Sequence, residues 1–299
     1  MLKRSVFTLA LAAATVAALT GCTAGSAADD GKIRVVASTN VYGDIASTIA
    51  GNAVEVTALM SDPAQDPHSF EASAQSQLAV SKADILIENG GGYDDFMDTL
   101  RTGSKNTKAT VLNVVDLSGK KATGGELNEH VWYDFPTVQK LTTALTDALS
   151  KADPAQKATF AKNAEAFSGK LAALQNREAE LKAKYAGEGI AVTEPVPLYM
   201  LESSGLVNKT PEKFSAAIEA GTDVSPLVLQ QTLALFSGHQ VKLLAYNEQT
   251  SGPETERVMA AAKAAGIPVV PVTETLPKGK DYVGWMNANL DAVGAALAR

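Results

Sequence analysis

The sequence predicts an α/β protein of two lobes, each a mostly parallel sheet flanked by helices, joined by one long rigid interlobe helix. Short β-branched runs alternate with helical patterns on both sides of the chain's middle, the mark of parallel sheets covered by helices. A single uninterrupted helical pattern separates the two halves. At 299 residues the chain is long enough for two compact lobes.

The middle stretch, Asp153 to Ala186, organises the rest. Asp153 stands as an N-cap and Pro154 at the first helical position. Phe160, Ala164, Phe167, Leu171, Leu174, Leu181 and Tyr185 recur at spacings of three, four and seven, which is one apolar stripe. Gly187 and Gly189 follow as stop signals. At about 1.5 Å per residue the helix is roughly 50 Å long, more than one lobe needs. A surface helix or half of a coiled coil is the bland alternative. A strut between lobes fits better, because α/β patterning lies on both sides.

The N-terminus carries Lys3 and Arg4, then an apolar run from Val6 to Ala18 that is short for a bilayer span. Leu19-Thr20-Gly21-Cys22 follows and resembles the bacterial lipobox. Cleavage there makes residues 1–21 a lipoprotein signal peptide and Cys22 a lipidated first residue. The protein is then held by acyl chains at the outer face of the bacterial cytoplasmic membrane. Residues 22–31 are small and polar, a flexible tether. Cys22 is the one cysteine, so a metal site in this chain must use His and oxygen donors.

Residues 32–150 read as the N-terminal lobe, 151–187 as the linking helix and 188–299 as the C-terminal lobe. In the first lobe Ile33–Ser38, Val54–Leu59, Ile85–Glu88 and Thr110–Val115 read as strands. Helices are expected over about Tyr42–Ala50, Ala74–Lys82, Tyr93–Thr102 and Pro136–Ser150. Ser61–Phe70 and Ser118–Asn128 read as loops, the latter with three glycines. In the second lobe Ile190–Thr193, Val241–Tyr246 and Pro268–Val272 read as strands. Leu198–Ser204, Ser225–Phe236, Glu254–Ala265 and Tyr282–Leu297 read as helices.

Hydrophobic content of 45% and charged content of 20% describe a globular chain. Loss of Lys3 and Arg4 with the signal segment takes the formal charge from −7 to −9. An acidic chain without a basic cluster is a poor partner for nucleic acid and suits a cation.

Ligands of open α/β sheets bind beyond the carboxyl ends of strands, and four such loops hold candidates. Asp66-Pro67-His68-Ser69-Phe70-Glu71 places a stiffening proline beside His68. Asn128-Glu129-His130-Val131-Trp132-Tyr133-Asp134 sets aromatic rings beside His130, with Asp134 or Asn128 available to orient the imidazole. Glu194 follows a strand in Thr193-Glu194-Pro195, and Glu274 follows another in Val272-Thr273-Glu274-Thr275-Leu276. Each has a bland reading: a solvated loop histidine, a helix cap, a solvated carboxylate. Together they offer two imidazoles and two carboxylates, a set suited to Mn²⁺, Zn²⁺ or Fe²⁺.

These motifs, in this order and behind a lipobox, resemble the metal-binding lipoproteins of zinc- and manganese-uptake ABC transporters, the cluster A-I solute-binding proteins. Asp66 to Glu71 is similar to the family's D-P-H-x-aromatic-E. Asn89-Gly90-Gly91-Gly92-Tyr93-Asp94 is similar to its N-G-x-G-aromatic-D turn, and Asn128 to Asp134 to N-P-H-V-W-x-D, with Glu129 in place of proline. The resemblance spans nearly all of the mature chain. It implies His68 and His130 as ligands, Glu194 as the third, and Glu274 where the family carries Asp in V-D-P-L. Glu248 matches a family Glu near the site, either supporting the ligands from behind or standing in as a reserve ligand. The His-rich loop of zinc-specific members has no counterpart in Ser118–Asn128, and His239 matches no ligand motif.

The implied function is a monomeric, non-catalytic binding protein. It captures one divalent ion, manganese or zinc ahead of iron, and delivers it to an ABC permease with its cytoplasmic ATPase. A zinc-dependent hydrolase is disfavoured by the lack of His-Glu-x-x-His. A siderophore- or haem-binding relative needs no pair of loop histidines. An adhesin or structural surface lipoprotein would bind metal incidentally.

Overall fold

The computed structural model describes residues 31–62, 70–122 and 126–299. His68 with its Asp-Pro-His motif, Cys22 and the signal segment lie outside the described residues. Lys32–Arg299 forms one compact unit. Its elements run β1 (Ile33–Thr39), α1 (Asn40–Ala50), β2 (Val54–Met60), α2 (Ala74–Lys82), β3 (Ile85–Glu88), α3 (Phe96–Ser104), β4 (Thr110–Asn113), α4 (Val114–Ser118), α5 (Phe135–Ala152) and α6 (Lys157–Tyr185). The second half continues β5 (Gly189–Val192), α7 (Leu198–Ser203), β6 (Val207–Asn208), α8 (Glu212–Glu219), α9 (Pro226–Ser237), β7 (Leu244–Asn247), α10 (Pro253–Ala264), β8 (Val269–Val272) and α11 (Tyr282–Leu297).

Two four-stranded sheets result, ordered β2-β1-β3-β4 and β6-β5-β7-β8, with every pairing parallel. The two halves thus share one topology. The central strands β3, β5 and β7 are buried at every residue, as expected of strands covered on both faces. In each sheet the strand order reverses between the first and second inner strands, and ligands of such sheets bind at that crevice.

The long helix is as expected in its apolar face. Phe160, Ala164, Phe167, Leu171 and Leu174 are buried, and Leu181 and Tyr185 pack against the same core. It starts later than Asp153, because Pro154–Gln156 forms a 3-10 turn, with the Asp153 carboxylate accepting from Ala155 N at 3.0 Å. The remaining 29 residues make a helix about 44 Å long. It packs on α1 and α5 in the first half and on α7 and α11 in the second. One apolar core, including Ile45, Leu141, Phe167, Tyr282 and Trp285, runs across both halves along it. Glu178 also lies buried in the stripe.

Hydrogen bonds tie the halves where the loops meet. Tyr282 donates to Trp132 O at 2.7 Å, and Tyr133 to Thr273 O at 2.7 Å. The Asn40 amide both donates to and accepts from the backbone of Leu276, at 3.0 and 2.9 Å. These bonds hold the loop before α5 and the start of α1 against the loop after β8 and the start of α11. Three elements went unrecognised in the sequence: α4, β6 and α8. The strand expected over Thr110–Val115 ends at Asn113, and Val114 and Val115 instead open the five-residue helix α4, capped by the Asn113 side chain. β6 is only two residues long, and α8 is an eight-residue helix, too short for a clear periodic stripe.

Candidate metal centre

His130 sits in the loop entering α5 and is 0% exposed. Its position is set from behind. The Asn89–Gly92 turn runs through three successive positive-φ glycines, and a Cβ on Gly90 would stand 2.3 Å from the Asn113 amide. Asp94 closes the turn by accepting from Asn89 N at 2.6 Å and Gly90 N at 2.8 Å. The Asn89 amide then donates to Glu129 O at 3.0 Å, anchoring the residue before the histidine. Tyr93 and Trp132 pack edge-on to the imidazole.

Asn128 orients the ring. Its Oδ1 lies 2.8 Å from His130 Nδ1 and accepts from the His130 backbone N at 3.1 Å. An amide oxygen only accepts, so Nδ1 carries a hydrogen and Nε2 is turned the other way. Asp134 takes a different part. Its carboxylate caps α5 by accepting from Thr137 N at 3.0 Å and pairs with Lys120 at 3.1 Å, and Pro136 completes this helix start.

The carboxylates come from the second half. Glu194, two residues past β5, and Glu274, two past β8, are each 1% exposed. Asn247 at the end of β7 joins them, its Nδ2 lying 2.5 Å from Glu194 Oε2 and 2.8 Å from Glu274 Oε1. Thr250 donates to the same Glu194 oxygen. Glu194 Oε1 is buried with no hydrogen-bond partner. Burial raises the Glu194 carboxyl to about 8, and the neighbouring Glu219 and Glu274 charges push in the same direction. Burial, then the Glu274 carboxylate, push the Tyr93 phenol far above its ordinary value.

Nε2 of His130 faces these acids, with Glu274 Oε2 at 4.0 Å and Glu219 Oε1 at 3.4 Å. Glu219, the last residue of α8, had no place in the sequence reading. The signal available for it was an acidic residue in the final turn of a helix, where the backbone dipole disfavours negative charge. Glu248 stays away from the cluster: its side chain is exposed and its backbone N–H extends the β7–β8 ladder to Val272 O at 3.1 Å. His239 is exposed in the turn after α9. Among the described residues no group of three or more His, Cys, Asp or Glu lies at metal-coordination spacing.

The family model of ZnuA, the zinc-uptake complex component A periplasmic, matches residues 35–296. The chain belongs to this family. ZnuA-family relatives include the manganese ABC transporter substrate-binding lipoprotein scaA of Streptococcus gordonii, 24% identical over 99% of both chains. Another is the iron ABC transporter substrate-binding lipoprotein MtsA of Streptococcus pyogenes, 24% identical over 90% of both. Among solved structures, the periplasmic zinc binding protein TroA of Treponema pallidum superposes with a TM-score of 0.75 at 22% identity, covering 90% of this chain and all of that one. The ZnuA-family fold is thus two-lobed with a long helical strut, and the names of the relatives carry three different metals.

Proposed function

We propose that this protein is the extracytoplasmic substrate-binding component of an ABC uptake system for a divalent transition metal. It captures the ion between its halves and presents it to a permease driven by a cytoplasmic ATPase, without catalysis. One observation carries the reading. A fully buried imidazole from the first half, its Nδ1 held by Asn128, turns Nε2 towards buried carboxylates of the second half. Neutral imidazole and carboxylate oxygens are ligands of Mn²⁺, Zn²⁺ and Fe²⁺.

His130, Glu194 and Glu274 are the ligands on this reading, with His68 as the fourth from its Asp-Pro-His motif. Asn128 orients His130, and Asn247 holds the two acids apart and in place. Manganese or zinc is the cargo ahead of iron; the names of the relatives support a divalent metal without choosing one. Residues 1–21 are a signal segment and Cys22 carries the lipid anchor, a reading supported by the lipobox and by the lipoprotein names of the relatives. Among the described residues no helix is long and apolar enough to cross a membrane.

The test is metal affinity by competition with a chelating dye, for Mn²⁺ and Zn²⁺. His130→Ala loses affinity by at least about 100-fold, since even groups that only orient a ligand are worth about 10–100-fold, while the metal-free protein keeps its fold. Unchanged affinity in that variant removes the site.

A further inference from the structure

We propose that Tyr199 is a positioning residue for the ion site, gripping the His130 loop from across the boundary between the halves; this rests on reading His130 and Glu194 as ligands. The loop runs from Asn128 to Asp134 and is held at both ends. At one end the Tyr199 hydroxyl donates to Asn128 O at 2.7 Å. At the other, the Lys120 ammonium lies 4.0 Å from the centre of the Tyr199 ring and 3.1 Å from Asp134 Oδ1. A cation over an aromatic face is attracted by the ring's quadrupole. One side chain of the second half thus holds the loop two residues before its histidine and, through Lys120, four residues after it.

The support under Tyr199 is stiff. It stands on the first turn of α7, five residues after Glu194. Pro195 and Pro197 restrict the intervening backbone, and Leu198 N donates to Pro195 O at 3.0 Å. The Tyr199 ring packs against the core shared by both halves. Burial, then the Asp134 and Glu202 charges, raise its phenol to about 12, so the hydroxyl stays a donor. Lys120 is seated as well. Its backbone N–H donates to Ser118 Oγ at 2.9 Å, and Ser118 O accepts from Lys140 Nζ at 2.6 Å.

Where the hydroxyl lands separates positioning from plain packing. Asn128 Oδ1 faces His130 Nδ1 and accepts from His130 N, and Asn128 Nδ2 donates to Pro195 O at 3.0 Å. Tyr199 takes the carbonyl of the same residue. The amide that orients the imidazole cannot turn without breaking a bond to Pro195 or straining the one to Tyr199. Both partners belong to the segment that carries Glu194. Tyr199 therefore sets where the imidazole of one half meets the acid of the other.

The experiment measures Mn²⁺ and Zn²⁺ affinity by chelator competition on the full-length protein and its variants, with melting of the metal-free protein alongside. Tyr199→Phe keeps the ring under Lys120 and loses the donation to Asn128. Affinity for both ions is expected to fall about tenfold, with the metal-free fold kept. Tyr199→Leu releases Lys120 too and falls further, by about 100-fold. In an Asn128→Ala background Tyr199→Phe costs less than about threefold, because residues acting as one unit are not additive. Packing alone would lower the melting temperature without that coupling. Unchanged affinity in Tyr199→Phe with affinity lost in His130→Ala overturns the role of Tyr199 and leaves the site standing. Unchanged affinity in both removes the site itself. A full loss in the Asn128→Ala background means that Tyr199 does not act through Asn128, and also overturns the proposal. A Tyr199→Leu loss no greater than that of Tyr199→Phe overturns the grip through Lys120. Should a Tyr199 variant fail to fold, Lys120→Met tests the clasp by a several-fold loss, and undiminished affinity there is equally fatal.

Discussion

Asn128 Oδ1 stands 2.8 Å from Nδ1 of His130, and the same Asn128 donates through Nδ2 to Pro195 O at 3.0 Å. One side chain therefore fixes the direction of the imidazole and ties its loop to the residue after Glu194. Tyr199 adds a second tie, donating to Asn128 O at 2.7 Å. A donor from one half and an acid from the other are held in register by a residue that itself carries no charge.

Removing that orientation has a defined cost. Asn128→Ala frees the ring and unties Pro195, and metal affinity falls by about 10–100-fold, the usual worth of a group that orients a metal-binding histidine. Asn128→Asp keeps an acceptor opposite Nδ1 and loses the donation to Pro195, so it falls less. Chelator competition on the two variants checks the order; an Asp variant weaker than the Ala variant contradicts the orienting role.

Glu274 and Glu248 separate cleanly by the same measurement. Glu274 is buried, accepts from Asn247 and faces His130 Nε2, whereas the Glu248 side chain is exposed. Glu274→Gln replaces a charged oxygen by an amide nitrogen that repels a cation, and affinity drops by at least about tenfold. Glu248→Gln changes it little. The reverse order would move the ligand role to Glu248 and require β7 to twist its next residue inward.

That contrast shows what the sequence could reveal. The strut, both sheets and the apolar stripe were legible because period and strand alternation report burial directly. The loop of Asn128 to Asp134 was legible as a place, but not the division of labour inside it: Asp134 turned out to cap α5 while Asn128 holds the ring. At the end of β7 neighbouring side chains face opposite sides. The resemblance drew attention to Glu248, yet the inward residue is Asn247, whose amide spans Glu194 and Glu274. Glu219 was hidden for a different reason. It reaches the site from the end of a short helix, and only the folded arrangement brings it 89 residues back along the chain to His130.

The strut carries a pH dependence of its own. Glu178 lies in the buried stripe of α6, and its Oε1 is buried without a hydrogen-bond partner. Burial lifts its carboxyl from 4.5 to about 8, and the Asp134 carboxylate adds to the rise. An unfolded glutamate ionises at about 4.3. Between those values the folded protein holds a proton that the unfolded chain has released, so stability from this group is full at low pH and is lost as pH rises towards 8. Glu178→Gln removes the titration. Measured without metal, the variant melts above the parent at pH 8, and the two converge near pH 4.5. Thermal melts across that range decide the matter: a difference that stays constant with pH would mean that the carboxyl does not hold its proton in the fold.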